Sequence, residues 1–373
     1  MTDSGGASTS GPLRLGLVGV GGMGASHLRD AGKVAPHARY TALCDINADA
    51  VKARGREAGL PAFVDYREMV DSGLCDALLI ATPHPFHAPV AIYALSHGLH
   101  VLTEKPIAVA VSEADAMIEA ARSHGLILGV MFQERTRSIF RAAHRVLSSG
   151  QVGPLYRSVL IASHWFRTKP YYDSGGWRGT WVGEGGGIIM NQAPHSLDLF
   201  IWLGGMPWQV TAQAFTRAQP IEAEDTVSAL LDYGGGHTGY LYATTAQWPG
   251  ELRMEFSGEL GQLLITDSAV RLYRLDRPLS DNLRDLPIFQ RPTGEWEDVP
   301  FDDEDDGGHV EVVQRFALAI RREADLVADG HDGLRSLELA NALLLAGYTG
   351  RSVELPLDRA EYDRFLAEKR GQA

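Results

Sequence analysis

The stretch from Leu13 to Ala31 constrains the fold more than any other. Leu13-Arg-Leu-Gly-Leu-Val-Gly-Val20 alternates in polarity and then turns continuously apolar, as a strand buried in a parallel sheet does. It runs straight into Gly19-Val-Gly21-Gly22-Met23-Gly24, and Ala25 to Ala31 is compatible with a helix. G-x-G-x-x-G between a strand and a helix is a dinucleotide-binding turn. The first glycine makes the tight turn, the second admits a pyrophosphate and the third lets helix and strand pack closely. A second strand, Arg39 to Asp45, ends in an acid about twenty residues past the last glycine, where a carboxylate holds the adenosine ribose 2′-OH. The competing reading makes Asp45 a turn or cap residue before a helix over Ala48–Ala58. No arginine follows to hold a 2′-phosphate, which favours NAD over NADP.

The alternation continues with a strand at Asp76–Thr82, a helix at His87–His97 stopped by Gly98, and a strand at His100–Thr103. Ser112 then caps a helix to about Ser123, and Leu126–Phe132 is a strand again. Strand and helix repeated this way predict a doubly wound α/β sheet with ligands at the strands' carboxyl ends. Thr82, Pro83, Phe86, His87, Glu104, Lys105 and Gln133 lie at or just past such ends, so they join the three loop glycines, Gly22, Met23 and Asp45 as expected cofactor-binding residues. Lys105, followed by Pro106 and preceded by Glu104, is expected to project into the crevice; the bland alternative is a surface ion pair. His84, His87, His97 and His100 lack metal-ligand partners at useful spacing, and no metal is expected.

Past an amphipathic helix ended by Gly150, strand-like runs dominate: Tyr156–Ser163, Gln209–Thr216, Asp225–Tyr233, Thr238–Ala246, Leu252–Phe256, Gln262–Thr266 and Val270–Tyr273. Turn residues join several of them, so a meander of antiparallel strands is expected. Two helices, His309–Ala328 and Leu334–Thr349, are expected to follow. The expected domains are a disordered tail at 1–12, a nucleotide-binding domain at 13–133 and a substrate-binding and oligomerisation domain at 134–373.

Two segments of this half carry candidate chemistry. The long stretch His164 to Trp181 holds aromatics with Arg167, Lys169 and Arg178, which suits stacking on a sugar face and hydrogen bonding to hydroxyls. Tyr171 or Tyr172 and Arg178 are expected to reach the ligand, and Trp177 or Trp181 to pin the loop. In Glu184-Gly-Gly-Gly-Ile-Ile-Met-Asn-Gln-Ala-Pro-His-Ser-Leu-Asp198, Pro194 is tolerable only in a first helical turn. That predicts a helix starting near Gln192 with Asn191 as N-cap, and Asn191, His195 and Asp198 on one face. His195 near the positive helix terminus should favour the neutral imidazole, able to act as a base.

The formal charge of −13 over 373 residues argues against nucleic acid and anionic membrane surfaces, which need a basic footprint. No apolar run approaches the roughly 20 residues that span a bilayer. Cys44 and Cys75 form neither a disulfide framework nor a metal spacing. The first eleven residues carry no secretion pattern, and a cytoplasmic location is expected.

Val18 to Gly24, Ala81-Thr82-Pro83 with His87, Glu104-Lys105-Pro106, and Gly185-Gly-Gly with His195 and Asp198 together resemble the Gfo/Idh/MocA oxidoreductase family. The resemblance runs from Leu13 to about Pro356. It implies an N-terminal Rossmann domain, a C-terminal α+β domain on a large, open, mostly antiparallel sheet, and NAD(P)-dependent oxidation of a secondary alcohol on a sugar or cyclic polyol. Lys105 would be the catalytic lysine and His195 the catalytic histidine. Asn191 departs from the aspartate often found at its position, and asparagine transfers no proton. Arg178, Tyr172, Trp177, Asn191 and Asp198 are the expected substrate-binding residues, with Asp198 expected to steady the site from behind.

The expected function is therefore an NAD-dependent dehydrogenase of a sugar, aminosugar or cyclitol, working as a homodimer or homotetramer. The rivals are an NAD-dependent glycosidase that oxidises transiently, and a catalytically silent sugar- and NAD-binding protein. The acidic run Phe301 to Asp306, with Glu184 and Glu222-Ala-Glu224-Asp225, predicts a negative cleft and a neutral or amine-bearing substrate such as an aminoglycoside.

Overall fold

A computed structural model of the chain describes residues 11–302 and 307–371. The expected tail falls almost wholly outside them, as does most of the acidic run, 303–306. The described residues form two compact units. The first holds 11–108, 113–133 and 307–333; the second holds 109–112, 134–302 and 334–371.

In the first unit six parallel strands, β1 (Leu13–Val18), β2 (Ala38–Cys44), β3 (Ala62–Phe63), β4 (Ala77–Ile80), β5 (His100–Thr103) and β6 (Leu128–Val130), stand in the order β3-β2-β1-β4-β5-β6. The order reverses between β1 and β4, which opens a crevice beside the β1 turn. The strands are continuously apolar because both faces are covered: Leu15, Leu17, Leu79 and Leu102 are fully buried. The helix expected at His309–Ala328, read with the second domain, instead spans Gly308–Ile320 and adds Val312, Val313 and Phe316 to this first core. Its amphipathic stripe showed that it packs, and the chain order gave no sign of a return to the first unit.

The second unit carries β7 (Leu155–Ala162), β8 (Gln209–Phe215), β9 (Thr226–Gly234), β10 (His237–Thr244), β11 (Leu252–Gly258), β12 (Gly261–Thr266), β13 (Val270–Leu275), β14 (Gly294–Asp298) and β15 (Val353–Glu354). They form one sheet, β14-β13-β12-β11-β7-β10-β9-β8-β15. Hairpins β9–β10 and β11–β12–β13 are the expected meander, but β7 inserts between β10 and β11 and pairs parallel with β10. Alternating polarity assigns faces and leaves partners open, so this insertion was not legible. The helix Pro194–Gly204 lies on the buried sheet face, with Phe200 stacked on Phe256 of β11 at 5.8 Å. No described helix is long and apolar enough to cross a membrane.

Candidate active site

In the first unit the glycine turn sits at the carboxyl end of β1. A Cβ on Gly24 would lie 1.9 Å from the Gly19 carbonyl oxygen, so the third glycine is there for helix–strand packing. Gly21 and Gly22 face the other way: nothing lies within 4 Å of either Cβ position. The open side of that turn, together with the start of the helix Gly22–Arg29, fits a pyrophosphate. Asp45, one residue past β2, accepts from the main-chain amides of Val20 and Asn47, each at 2.9 Å, and thereby ties the glycine turn to the β2 end. The cap of the next helix is Asn47, which accepts from the Ala50 amide.

Polar and apolar groups around this crevice are left for a ligand. The Thr82 hydroxyl is buried with no hydrogen-bond partner among the described residues. Met23, Ile46 and Phe86 are 40%, 89% and 51% exposed, large apolar side chains at three strand ends that a flat ring system would cover. Ile46 escaped the sequence reading; its signal was an apolar residue directly after the ribose-type acid. Pro83 precedes the short turn His84–Phe86, and Gln133 opens the turn after β6. His87 is fully buried, its two ring nitrogens 2.8 and 2.9 Å from the carbonyl oxygens of Pro106 and Thr82. It therefore joins the β4 and β5 loops and exposes no ring face to a ligand.

Glu104 is also buried and lies 2.9 Å from His27 Nε2. Burial alone would raise its carboxyl. The hydrogen bond from His27 and electrostatic interaction with His27, His309 and Lys105 outweigh that and hold it below the usual carboxylate range. Its second oxygen receives the Lys105 main-chain amide at 3.3 Å, so Glu104 fixes the backbone at Lys105.

In the second unit the expected helix start is displaced. Ile188–Asn191 is a separate short turn, and the longer helix begins at Pro194 with Ala193 as N-cap. Pro194 has no N–H to continue the first turn, which ends there. Asn191 is therefore no cap, and its amide donates to the Glu184 carboxylate and, at 3.2 Å, to the Tyr171 hydroxyl. His195 sits in the first turn of the helix and is 7% exposed. Asp198 is engaged by the protein itself. Both its carboxylate oxygens are taken by buried Arg135, at 2.6 and 2.8 Å, and the Arg135 guanidinium lies over Trp202. Asp198 holds the helix in place.

The triple glycine is filled by protein. A Cβ on Gly187 would stand 1.9 Å from the Glu224 carbonyl oxygen, which accepts from the Ile188 amide at 3.0 Å. The Glu224 side chain accepts from the amides of Gly187 and Ile189. Burial, opposed by these amides and reinforced by Glu184, raises its carboxyl to about 7. Glu184 accepts from the Gly179 amide at 2.6 Å, Glu222 from the Trp181 amide, and Asp225 from those of Arg217, Ala218 and Gln219. These acids serve as acceptors for backbone amides that hold the loop and the glycine turn.

Of the tyrosines, Tyr172 is buried with its hydroxyl 2.9 Å from Thr245 Oγ1, whereas Tyr171 is only half-buried. Arg178 donates to the Tyr171 hydroxyl at 2.6 Å and lies over the rings of Tyr171 and Trp177. Trp181 is the loop's anchor, packed edge-on against Tyr348 and Phe365.

Comparison with known proteins agrees with both halves. The model of the oxidoreductase family with an NAD-binding Rossmann fold, GFO/IDH/MocA, matches residues 13–132, and that of the GFO/IDH/MocA C-terminal domain matches residues 140–264. The crystal structure of the WlbA dehydrogenase from Bordetella pertussis, in complex with NADH and UDP-GlcNAcA, is 30% identical with a TM-score of 0.79, covering 93% of this chain and 100% of that one. The D-apiose dehydrogenase of Paraburkholderia graminis is 26% identical over 92% of this chain and 90% of its own length. An inositol 2-dehydrogenase of Burkholderia multivorans is 27% identical over 95% and 98%. With an NAD-type crevice on one unit and a buried histidine, arginines and aromatics on the other, the chain belongs to the GFO/IDH/MocA family of NAD-binding oxidoreductases.

Proposed function

We propose that this chain is an NAD-dependent dehydrogenase that oxidises a secondary hydroxyl of a sugar-type substrate, a class that includes aminosugars and cyclitols. The observation that carries the reading is the open crevice of Gly21, Gly22 and the unsatisfied Thr82 hydroxyl. The dehydrogenase names of the relatives support it, and the WlbA enzyme, D-apiose dehydrogenase and inositol 2-dehydrogenase all point to polyhydroxylated substrates.

In this reading Gly21, Gly22, the start of the helix Gly22–Arg29, Asp45 and Thr82 hold the dinucleotide, which supplies the hydride acceptor when bound. His195 takes the hydroxyl proton, and Lys105 orients the same oxygen and stabilises charge on it. Asn191, held by Glu184, hydrogen-bonds a neighbouring hydroxyl. The proton released as the alcohol becomes a ketone would be held at His195, and the bound dinucleotide would supply the place for the hydride. The residue after Asp45 is Ile46 where a 2′-phosphate would need a cation, which favours NAD over NADP. Leu230 and Tyr240 pair across β9 and β10 on an exposed sheet face, in accord with a homodimer or homotetramer.

The test is a panel of sugars, sugar acids, aminosugars and cyclitols with NAD and with NADP, followed by absorbance of the reduced cofactor. Reduced NAD that accumulates in step with substrate consumed is the expected result. Glycoside cleavage with no net reduction would establish the transient-oxidation alternative, and binding without turnover the silent one.

A further inference from the structure

The loop 164–178 of the second unit ends in a chain of aromatic and cationic side chains. The Arg167 guanidinium lies over Trp165 at 5.2 Å and over Tyr171 at 4.8 Å; that of Arg178 lies over Tyr171 at 4.3 Å and Trp177 at 4.5 Å. Two cations thus share one tyrosine ring, and neither forms an ion pair with a described carboxylate. The acids next to them in the fold are engaged elsewhere: Asp173 with Lys169, at 2.6 and 2.8 Å, and Glu184 with the Gly179 amide and Asn191. In a chain of net charge −13 such an unneutralised pair is out of character. Ring quadrupoles offset part of the mutual repulsion, and an anion would remove it.

The hydrogen bonds of the loop agree independently. The Nε of Arg167, the Nε of Arg178 and the indole N–H of Trp165 are buried and have no acceptor among the described residues. The Tyr171 oxygen already accepts from Arg178 at 2.6 Å, Gln192 at 2.9 Å and Asn191 at 3.2 Å, so what it still has to offer is its O–H. Four groups on one short loop therefore present donors and no acceptor. An ammonium group, itself only a donor, is the worst partner for such a surface. A neutral hydroxyl satisfies it in part. A carboxylate or phosphate, with several acceptor lone pairs and a negative charge, satisfies it fully. Asn191 and Gln192 tie this loop to the turn just ahead of His195.

We propose that Arg167 and Arg178, with Trp165 and Tyr171, form an anion-binding subsite, so that the substrate is an acidic sugar carrying a carboxylate or a phosphate ester and not an amine-bearing one. The proposal rests on the reading of the His195 unit as the one that holds the sugar. It reverses the expectation drawn from the acidic run.

The test uses the full chain with NAD at fixed ionic strength. Binding of D-glucuronate, D-glucose 6-phosphate, D-glucose and D-glucosamine is followed by tryptophan fluorescence, and turnover by reduced NAD in parallel. At least one of the two anions should bind about tenfold or more tightly than D-glucose, with D-glucosamine weakest. Preference for glucuronate identifies a carboxylate, and preference for the phosphate ester a phosphate. Arg167→Ala and Arg178→Ala should each erase the advantage while leaving NAD affinity unchanged. Arg178→Lys, which keeps the charge without the planar fork, should retain part of it. Anions that bind the unmodified protein no better than D-glucose overturn the proposal, as does an advantage that survives both alanine variants. Anion binding without reduced NAD from any sugar would sink the dehydrogenase reading and leave the subsite. Turnover of neutral or amine-bearing sugars with no gain for anions would do the reverse.

Discussion

The two glycine-rich turns, Gly19–Gly24 and Gly185–Gly187, look alike in the sequence and serve opposite ends. In the first, two of the glycines border open space, and a ligand can bring a phosphate against bare backbone. In the second, the space a side chain would occupy is already filled: by Val109 at Gly185, and by the Glu224 carbonyl at Gly187. Missing side chains announce a close backbone approach and leave the approaching partner unnamed. The surrounding pattern supplied the name in the first case, since a strand before and a helix after leave few alternatives. In the second the partner is the segment leading into β9, 37 residues away, and local spacing is silent about it.

The sharpest way to break this comparison is Gly187→Ala. Its Cβ would meet main-chain atoms that cannot step aside, so a loss of roughly 3 kcal/mol or more is expected. Thermal unfolding should show it as a large fall in midpoint, while NAD affinity of whatever protein folds stays normal. A variant as stable as the parent would mean that the turn is open after all.

Glu224→Gln probes the same turn through pH. The folded-state carboxyl is raised from 4.5 to about 7, chiefly by burial, so the folded protein favours the protonated form. That contribution is complete below about 4.5, declines as pH rises and is gone once pH passes about 7. Between pH 5 and 8 the parent should lose roughly 1–3 kcal/mol relative to the variant, measured by urea unfolding at each pH. Parallel pH profiles would contradict a buried titrating carboxyl.

Gly22→Ala sharpens the other side. Its Cβ enters open space at a helix start, so stability should change by no more than about 0.5 kcal/mol. The Michaelis constant for NAD should rise about tenfold, because the methyl occupies ground meant for the cofactor. Smaller still is Asp45→Ala, a several-fold rise in the same constant with turnover little changed. Better use of NADP than of NAD by the parent enzyme would refute the ribose assignment.

These contrasts mark how far the sequence could be read. The parallel, helix-covered sheet of the first unit followed from repeated strand–helix alternation, and Gly19, Asp45, Thr82 and Lys105 lie at or just past the carboxyl ends of its strands. His87 faces two carbonyls and not a ligand, a difference invisible in the sequence because a histidine at a strand end looks the same either way. Asn191 reads as a cap in the sequence because Pro194 marks a first turn without revealing that another short turn precedes it. The acids Glu184, Glu222, Glu224 and Asp225 read as a charge cluster in the sequence, and only the fold reveals the backbone amides that each accepts from. Tyr171 and Arg167 depend on contacts within a long irregular loop, where neither helical nor strand periodicity constrains a side chain.

The central claim is that Lys105 and His195 carry the chemistry while the glycine crevice carries the cofactor. Its most direct measurement is single-turnover absorbance of reduced nicotinamide after mixing NAD-loaded protein with the best sugar of the panel. It is run on the parent, Lys105→Met and His195→Asn, with NAD affinity measured on each. The parent should form reduced NAD that persists, and each variant should slow its formation by about 10²-fold or more with NAD affinity unchanged. Parent-like rates in either variant would contradict the account.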